Sequence, residues 1–211
     1  MLRTPASCKD VGGKNREIED LVIAAIEDKA NLDEIINDAM IAAMDVVGHR
    51  FADGEIFVPE MLVSAVTMKK GLDLIKPFLK DEETKSKGTI IMCTVKGDIH
   101  DIGKNLVIMM LEGAGFNVID LGVDLTVEKL IQQVEKINPD ILGLSALLTT
   151  TMPEMKNVIE TLRSKGLRDS LKVMVGGAPV DSSFAEKIGA DGYGKDAAEA
   201  VTLARRFVSA T

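Results

Sequence analysis

Leu, Ile, Val and Met recur at three- and four-residue spacings from residue 16 to residue 80, in "IEDLVIAAIED", "LDEIINDAMIAAMDVVGHRF" and "VPEMLVSAVTMKKGLDLIKPFL". That period predicts amphipathic helices. Pro59 falls in the first turn of the last one, where its missing N–H would have no helical partner anyway. "KDEETKSKG" is charged and aperiodic and reads as a linker over 81–88. Residues 1–15, with Pro5, Gly12 and Gly13, show no period and are read as irregular.

Beyond the linker the rhythm changes. The apolar runs "TIIMCTV", "FNVIDLG", "DILGLSA" and "LKVMVGG" are separated by amphipathic stretches of helical length, and "KDAAEAVTLARRF" closes the series. Strands alternating with helices predict a parallel sheet covered on both faces. The chain is therefore read as α/β, with a helical bundle over 1–80 and a second unit over 89–211. That second unit is expected to be a flavodoxin/Rossmann-like doubly wound sheet of about five strands. Such sheets bind ligands beyond the carboxyl ends of their strands. "GDIHDIGKN", "SALLTTTM" and "GGAPV" follow the first, third and fourth predicted strands, so three distant motifs converge on one edge.

Composition removes several classes of function. A net charge of −8 argues against a nucleic-acid surface, and 46% hydrophobic residues without Trp suit an aliphatic core. No apolar run approaches the ~18 residues of a membrane span, and no secretory pattern opens the sequence. The two cysteines, Cys8 and Cys93, form no CxxC pair and are read as reduced thiols of a cytoplasmic protein.

The chemistry concentrates in "GDIHDIGKN", residues 97–105, which holds one of the two histidines. His100 is readable as a loop histidine beside a helix-capping Asp98, or as a base oriented by that carboxylate. Gly97 and Gly103 meet neither the P-loop nor the dinucleotide pattern. "SALLTTTM" contains no nucleophile elbow. A metal reading has firmer physics, because a ligating imidazole generally gives its other N–H to a carboxylate. With no second His nearby and no cysteine cluster, the metal must arrive with most of its coordination supplied, which describes a macrocycle.

In this light "GDIHDIGKN", "GLSALLTTTM" and "VGGAPV" resemble the D-x-H-x-x-G, S-x-L and G-G signature of cobalamin-binding domains. "GHRFADGEIFVPEML" resembles the helical cap beside them in cobalamin-dependent methyl transfer. The chain is similar to the corrinoid proteins of methylamine- and methanol-type methyltransferase systems and to the cobalamin region of methionine synthase. The resemblance covers roughly residues 30–205. It implies that His100 is the lower axial ligand of cobalt, replacing the corrinoid's own base, and that Asp98 holds the other imidazole nitrogen. Gly97, Ile99, Asp101, Ile102 and Gly103 complete that motif. Thr151 stands where methionine synthase has a serine that extends the relay. Ser145, Leu147, Gly176 and Gly177 match the slot for the nucleotide tail, with Thr149 and Ala197 as further contacts. Phe51 and Val58 match the cap residues that shield the methyl group.

The resemblance also implies a function. The chain would be a methyl carrier with no catalytic residues of its own, loaded with cobalamin and carrying the methyl group as methylcobalamin. Its partners would be a substrate-specific methyltransferase, a methyl-acceptor methyltransferase and a reductive activase, with neither nucleic acid nor membrane. A (β/α)₈ substrate barrel of ~250 residues does not fit in this length. The small subunit of an adenosylcobalamin mutase shares the D-x-H-x-x-G motif but lacks such a cap. A cobalamin-dependent transcription regulator needs a DNA-reading module that residues 1–15 cannot house. The family's cap is a four-helix bundle, whereas one helix is legible ahead of "DEIIN". The N-terminus is therefore expected to be mobile or to complete its core against another chain, which would make a homo-oligomer.

Overall fold

The computed structural model describes residues 15–78 and 86–209. Residues 1–14 and most of the expected linker lie outside that range. The chain falls into two compact units, one within Met1–Thr84 and the other within Lys85–Thr211.

In the first unit, α1 (Asn15–Glu27) is the helix expected before "DEIIN". Helix α2 (Leu32–Glu34) runs through a π-helical stretch, Ile35–Ile41, into α3 (Ala42–Ala52). Helix α4 (Val58–Ile75) carries Pro59 as its second residue and ends in a 3₁₀ turn, Lys76–Phe78. Val22, Met40, Met44, Met61, Met68 and Ile75 are buried in this unit. Unbranched thioethers fill the uneven gaps that a π-helical stretch leaves between helices. Gly71 lets α4 approach closely, since a Cβ there would stand 2.6 Å from Met40 Cε.

The second unit is a five-stranded parallel sheet with strand order β2-β1-β3-β4-β5. Its strands are β1 (Thr89–Thr94), β2 (Asn117–Asp120), β3 (Ile141–Ser145), β4 (Lys172–Gly176) and β5 (Gly192–Gly194). The crossovers are α5 (Ile102–Gly113), α6 (Val127–Ile137), α7 (Met152–Ser164) and α8 (Ser182–Ile188), and α9 (Ala197–Ser209) ends the described chain. Ile91, Cys93, Leu142, Leu144, Val173 and Val175 face one apolar core, which buries Leu130, Ile131 and Val134 of α6 and Met155, Val158 and Ile159 of α7. The alternate residues face α5 and α9; Gly192 and Gly194 there lie close to Leu203, Phe207 and Ala200 of α9. Sheet order reverses between β1 and β3, and that switch point is where doubly wound folds open a crevice.

Register aligns one row of residues at the carboxyl edge. Thr94 pairs with Ser145, Ser145 with Gly176, and Gly176 with Gly194. Small residues along this row allow close packing: a Cβ on Gly194 would stand 3.3 Å from Ala200 of α9.

Candidate functional site

His100 sits in the loop between β1 and α5, with its side chain 47% exposed. Three features fix the loop. Gly97 adopts φ +80°, a left-handed conformation suited to glycine. The buried Thr94 hydroxyl donates to the His100 carbonyl at 3.0 Å. Asp98, the third, is fully buried and ties the loop to β3 through its carboxylate.

Five donors converge on that carboxylate. Oδ1 accepts from the His100 amide at 3.1 Å and lies 2.7 Å from His100 Nδ1. Oδ2 accepts from the amides of Leu147 and Leu148 at 2.7 and 3.2 Å and from Thr151 Oγ1 at 2.8 Å. Burial alone would raise the Asp98 pKa. The Leu147 amide, the His100 ring and amide, and the Thr151 hydroxyl outweigh it and hold the carboxyl well below its usual range. An ionised carboxylate offers only lone pairs, so Nδ1 must carry the ring proton. That leaves Nε2 with a free pair of electrons, the arrangement a metal ligand requires.

The surface around the imidazole is apolar. Ile99 is 73% and Ile102 84% exposed, and Leu147 and Leu148 are exposed beside the carboxylate that their amides bind. These four exposed aliphatics, from the β1–α5 loop, the start of α5 and the β3–α7 loop, offer apolar surface that a flat apolar group would cover. Among the described residues no group of three or more His, Cys, Asp or Glu side chains could hold a metal ion. His100 is thus suited to be a single ligand for a metal that brings its own equatorial donors. The residues present fit a cobalt macrocycle.

A cradle lies at the ends of β3 and β4. Gly177 adopts φ +127°, and a Cβ there would collide with the Ala146 carbonyl. A Cβ on Gly176 would stand 3.0 Å from the Gly194 carbonyl oxygen. Ser145 and Gly176 are half-buried, and Ala197 is buried at the start of α9. Both glycines let neighbouring backbone approach closely, Gly177 against Ala146 and Gly176 against Gly194.

The structure brings Asp98, His100, Leu147 and Thr151 into one hydrogen-bonded group, with Ile99 and Ile102 beside it. Ser145, Gly176, Gly177 and Ala197 share the adjoining sheet edge. Asp101 and Gly103 flank the start of α5, where Asp101 Oδ2 accepts from Asn105 Nδ2 at 3.2 Å and Gly103 meets open space. Thr149 is exposed on the β3–α7 loop. Phe51, half-buried on α3, and the exposed Val58, opening α4, belong to the first unit. Sequence reasoning missed Thr94, Asp124, Leu148 and Gly194. Leu148 acts through its amide, which has no sequence signature, and Gly194 lies in a strand too short to show alternation.

With this geometry in place, comparison with known proteins is informative. Residues 88–202 match a family model described as a B12 binding domain, and residues 11–76 match a second model of the same description. The sequence is 43% identical over 195 residues to dimethylamine corrinoid protein 1 of Methanosarcina acetivorans, covering 90% of this chain and 92% of that one. It is 43% identical over 174 residues to trimethylamine corrinoid protein 1 of the same organism, covering 82% and 81%. The methanol:cobalamin methyltransferase complex MtaBC of Methanosarcina barkeri contains a chain that superposes with a TM-score of 0.85 at 34% identity, over 96% of this chain and 78% of that one.

Proposed function

Since the chain belongs to the family of B12-binding corrinoid proteins, we propose that it is a methyl-carrying subunit that passes a methyl group from a substrate-specific methyltransferase to a methyl-acceptor methyltransferase. Its cofactor is cobalamin. When bound, cobalamin supplies a cobalt centre able to take up and release a methyl group.

One observation carries the reading: a half-exposed imidazole is braced by a fully buried, ionised carboxylate and rimmed by exposed aliphatics. His100 Nε2 would be the lower axial ligand in place of the corrinoid's own base. Asp98 would keep the ring proton on Nδ1 and so keep the Nε2 lone pair aimed away from itself. The Thr151 hydroxyl, bound to the far carboxylate oxygen, supports the same state at 2.8 Å. Ile99, Ile102 and Leu147 would exclude water beside the ring. The sheet edge at Ser145, Gly176 and Gly177 would take the displaced nucleotide tail, with Thr149 and Ala197 at its margin. Phe51 and Val58, as apolar residues of the helical unit, would keep water from the methyl group. A reductive activase completes the proposed partners. In this reading the subunit carries the methyl group and its partner enzymes catalyse the transfers.

The test is electron paramagnetic resonance of the protein reconstituted with cobalamin and held as cobalt(II). The wild type should show nitrogen superhyperfine splitting from a protein ligand, and His100→Ala should lose it while the apo proteins unfold alike. Splitting that survives the substitution refutes the assignment. Methylation of the reduced protein by donor–enzyme pairs, followed by absorbance, tests the carrier role. Inertness towards every methylamine, methanol and methyl-ether system would refute it.

A further inference from the structure

The ion pair between buried Lys104 and exposed Asp120 and the loop after β2 have no part in the function proposed so far. The Lys104 side chain is 1% exposed in the first turn of α5. Its Nζ donates to both carboxylate oxygens of Asp120 at 2.7 Å and to Asn105 Oδ1 at 2.9 Å. Asp120 is the last residue of β2, and its Oδ1 also accepts from the Gly122 amide at 2.9 Å. The ammonium therefore joins the start of α5, three residues past Asp101, to the loop that leaves β2.

That loop grips the His100 loop along its length. The Gly122 carbonyl accepts from the Thr94 amide at 3.0 Å, and the Leu125 amide donates to the Thr94 carbonyl at 3.2 Å. Asp124 makes the closest hold. Its Oδ1 accepts from the Gly97 amide at 2.7 Å, and its own amide donates to the Asp98 carbonyl at 3.0 Å. It does so at φ 52°, a left-handed conformation that few non-glycine residues adopt. A charged acceptor on one side of the loop and the Leu147 and Leu148 amides, just past β3, on the other hold Gly97 and Asp98 between them.

We propose that Asp124 is a positioning residue for His100, and that the Lys104–Asp120 pair is the anchor that fixes the loop carrying it. Burying the Lys104 ammonium costs desolvation that its pairing with Asp120 offsets, so the pair adds little net stability, and the use best attested for such pairs is to fix geometry. Here the geometry is that of the peptide two residues before the imidazole. The proposal rests on His100 being the axial ligand, and its test separates the two ideas.

Asp124→Gly permits the same backbone conformation but removes the acceptor. Asp124→Asn keeps both the acceptor and a residue tolerant of the left-handed region. With cobalamin bound as cobalt(II), Asp124→Gly should lower the ratio of coordinated to free imidazole about tenfold, the scale of one hydrogen bond to a charged group. Asp124→Asn should restore the wild-type ratio. In the apo protein, Asp124→Gly should speed solvent exchange of the His100 Nδ1 proton, read by nitrogen-15 NMR, with little change in melting temperature. Lys104→Met, which frees the other end of the loop, should lower coordination in the same direction. Wild-type coordination in Asp124→Gly, or failure of Asp124→Asn to restore it, overturns the proposal. Absence of protein nitrogen splitting in the wild type itself overturns the ligand reading first and this inference with it.

Discussion

Replacing Asp98 by Asn changes one oxygen for an NH₂ group with almost no change in shape, and the structure dictates how the new amide must lie. On the Oδ2 side stand two backbone amides, those of Leu147 and Leu148, and the Thr151 hydroxyl. Turning the NH₂ group towards them leaves two buried N–H groups without acceptors, at about 1–3 kcal/mol each. Turning it towards His100 strands one amide, that of His100, and the imidazole can adapt. The second orientation is favoured by about 1–3 kcal/mol, one orphaned donor fewer. The three bonds kept by the remaining oxygen lose their charge assistance, which roughly halves each. Together with the stranded amide, a total loss of about 3–7 kcal/mol follows, a large share of the about 5–15 kcal/mol that holds a domain folded.

The consequence for His100 is sharper than the loss of stability. Facing an NH₂ donor, Nδ1 must become the acceptor, so the ring proton moves to Nε2 and the lone pair meant for a metal disappears. Urea unfolding of the apo protein should show the stability loss. Long-range nitrogen–proton NMR at a pH where the ring is neutral should show Nδ1–H in the wild type and Nε2–H in Asp98→Asn. A variant that keeps Nδ1–H and unfolds within about 0.5 kcal/mol of wild type, the scatter of an ordinary surface change, would refute the account of the carboxylate.

Four other substitutions or treatments probe separate parts of the unit. Gly177→Ala forces a Cβ against the Ala146 carbonyl at φ +127° and should cost about 2–4 kcal/mol in urea unfolding. Gly103→Ala, with open space around it, should lose nothing. Gly176→Leu should cut cobalamin affinity at least about tenfold in equilibrium dialysis, since side-chain bulk at the cradle displaces a ligand group worth more than 1.4 kcal/mol; undiminished affinity places the tail elsewhere. Burial pushes the Cys93 thiol up to about 12, so about one molecule in ten thousand is thiolate at pH 8. In a Cys8→Ser background, alkylation should stay negligible until denaturant unfolds the protein, and rapid labelling of the native state would contradict the burial.

What could be read from the sequence follows from what leaves a pattern in side chains. The runs at β1, β3 and β4 stood out because both faces are covered, which makes them continuously apolar. The three residues of β5, Gly-Tyr-Gly, are too few to alternate, and that strand was expected in number but not in place. The π-helical stretch Ile35–Ile41 was hidden, because over seven residues its apolar spacing is the same as that of an α-helix. Asp98, His100 and Gly177 were legible from spacing and residue type. The partners that set their state were not: the Leu147 and Leu148 amides belong to the backbone, and Asp124 meets Gly97 across 27 residues of chain.

The axial base and the cradle are not independent constructions. Thr94, Ser145, Gly176 and Gly194 occupy one registered row. Thr94 holds the His100 carbonyl, while Ser145 opens the loop whose amides hold Asp98 and Gly176 opens the loop whose glycine packs on the Ala146 backbone. A one-residue slip between β1 and β3 would turn every side chain of a strand to its other face. It would separate Asp98 from its amides and at the same time replace small residues on the cradle side by Leu144 or Ala146. Both halves of the site are therefore specified by the same core contacts that fix register, chiefly Ile91, Leu142, Leu144 and Val175. This accounts for a binding edge built so largely from glycine and backbone amides, which the sheet can place without help from large side chains.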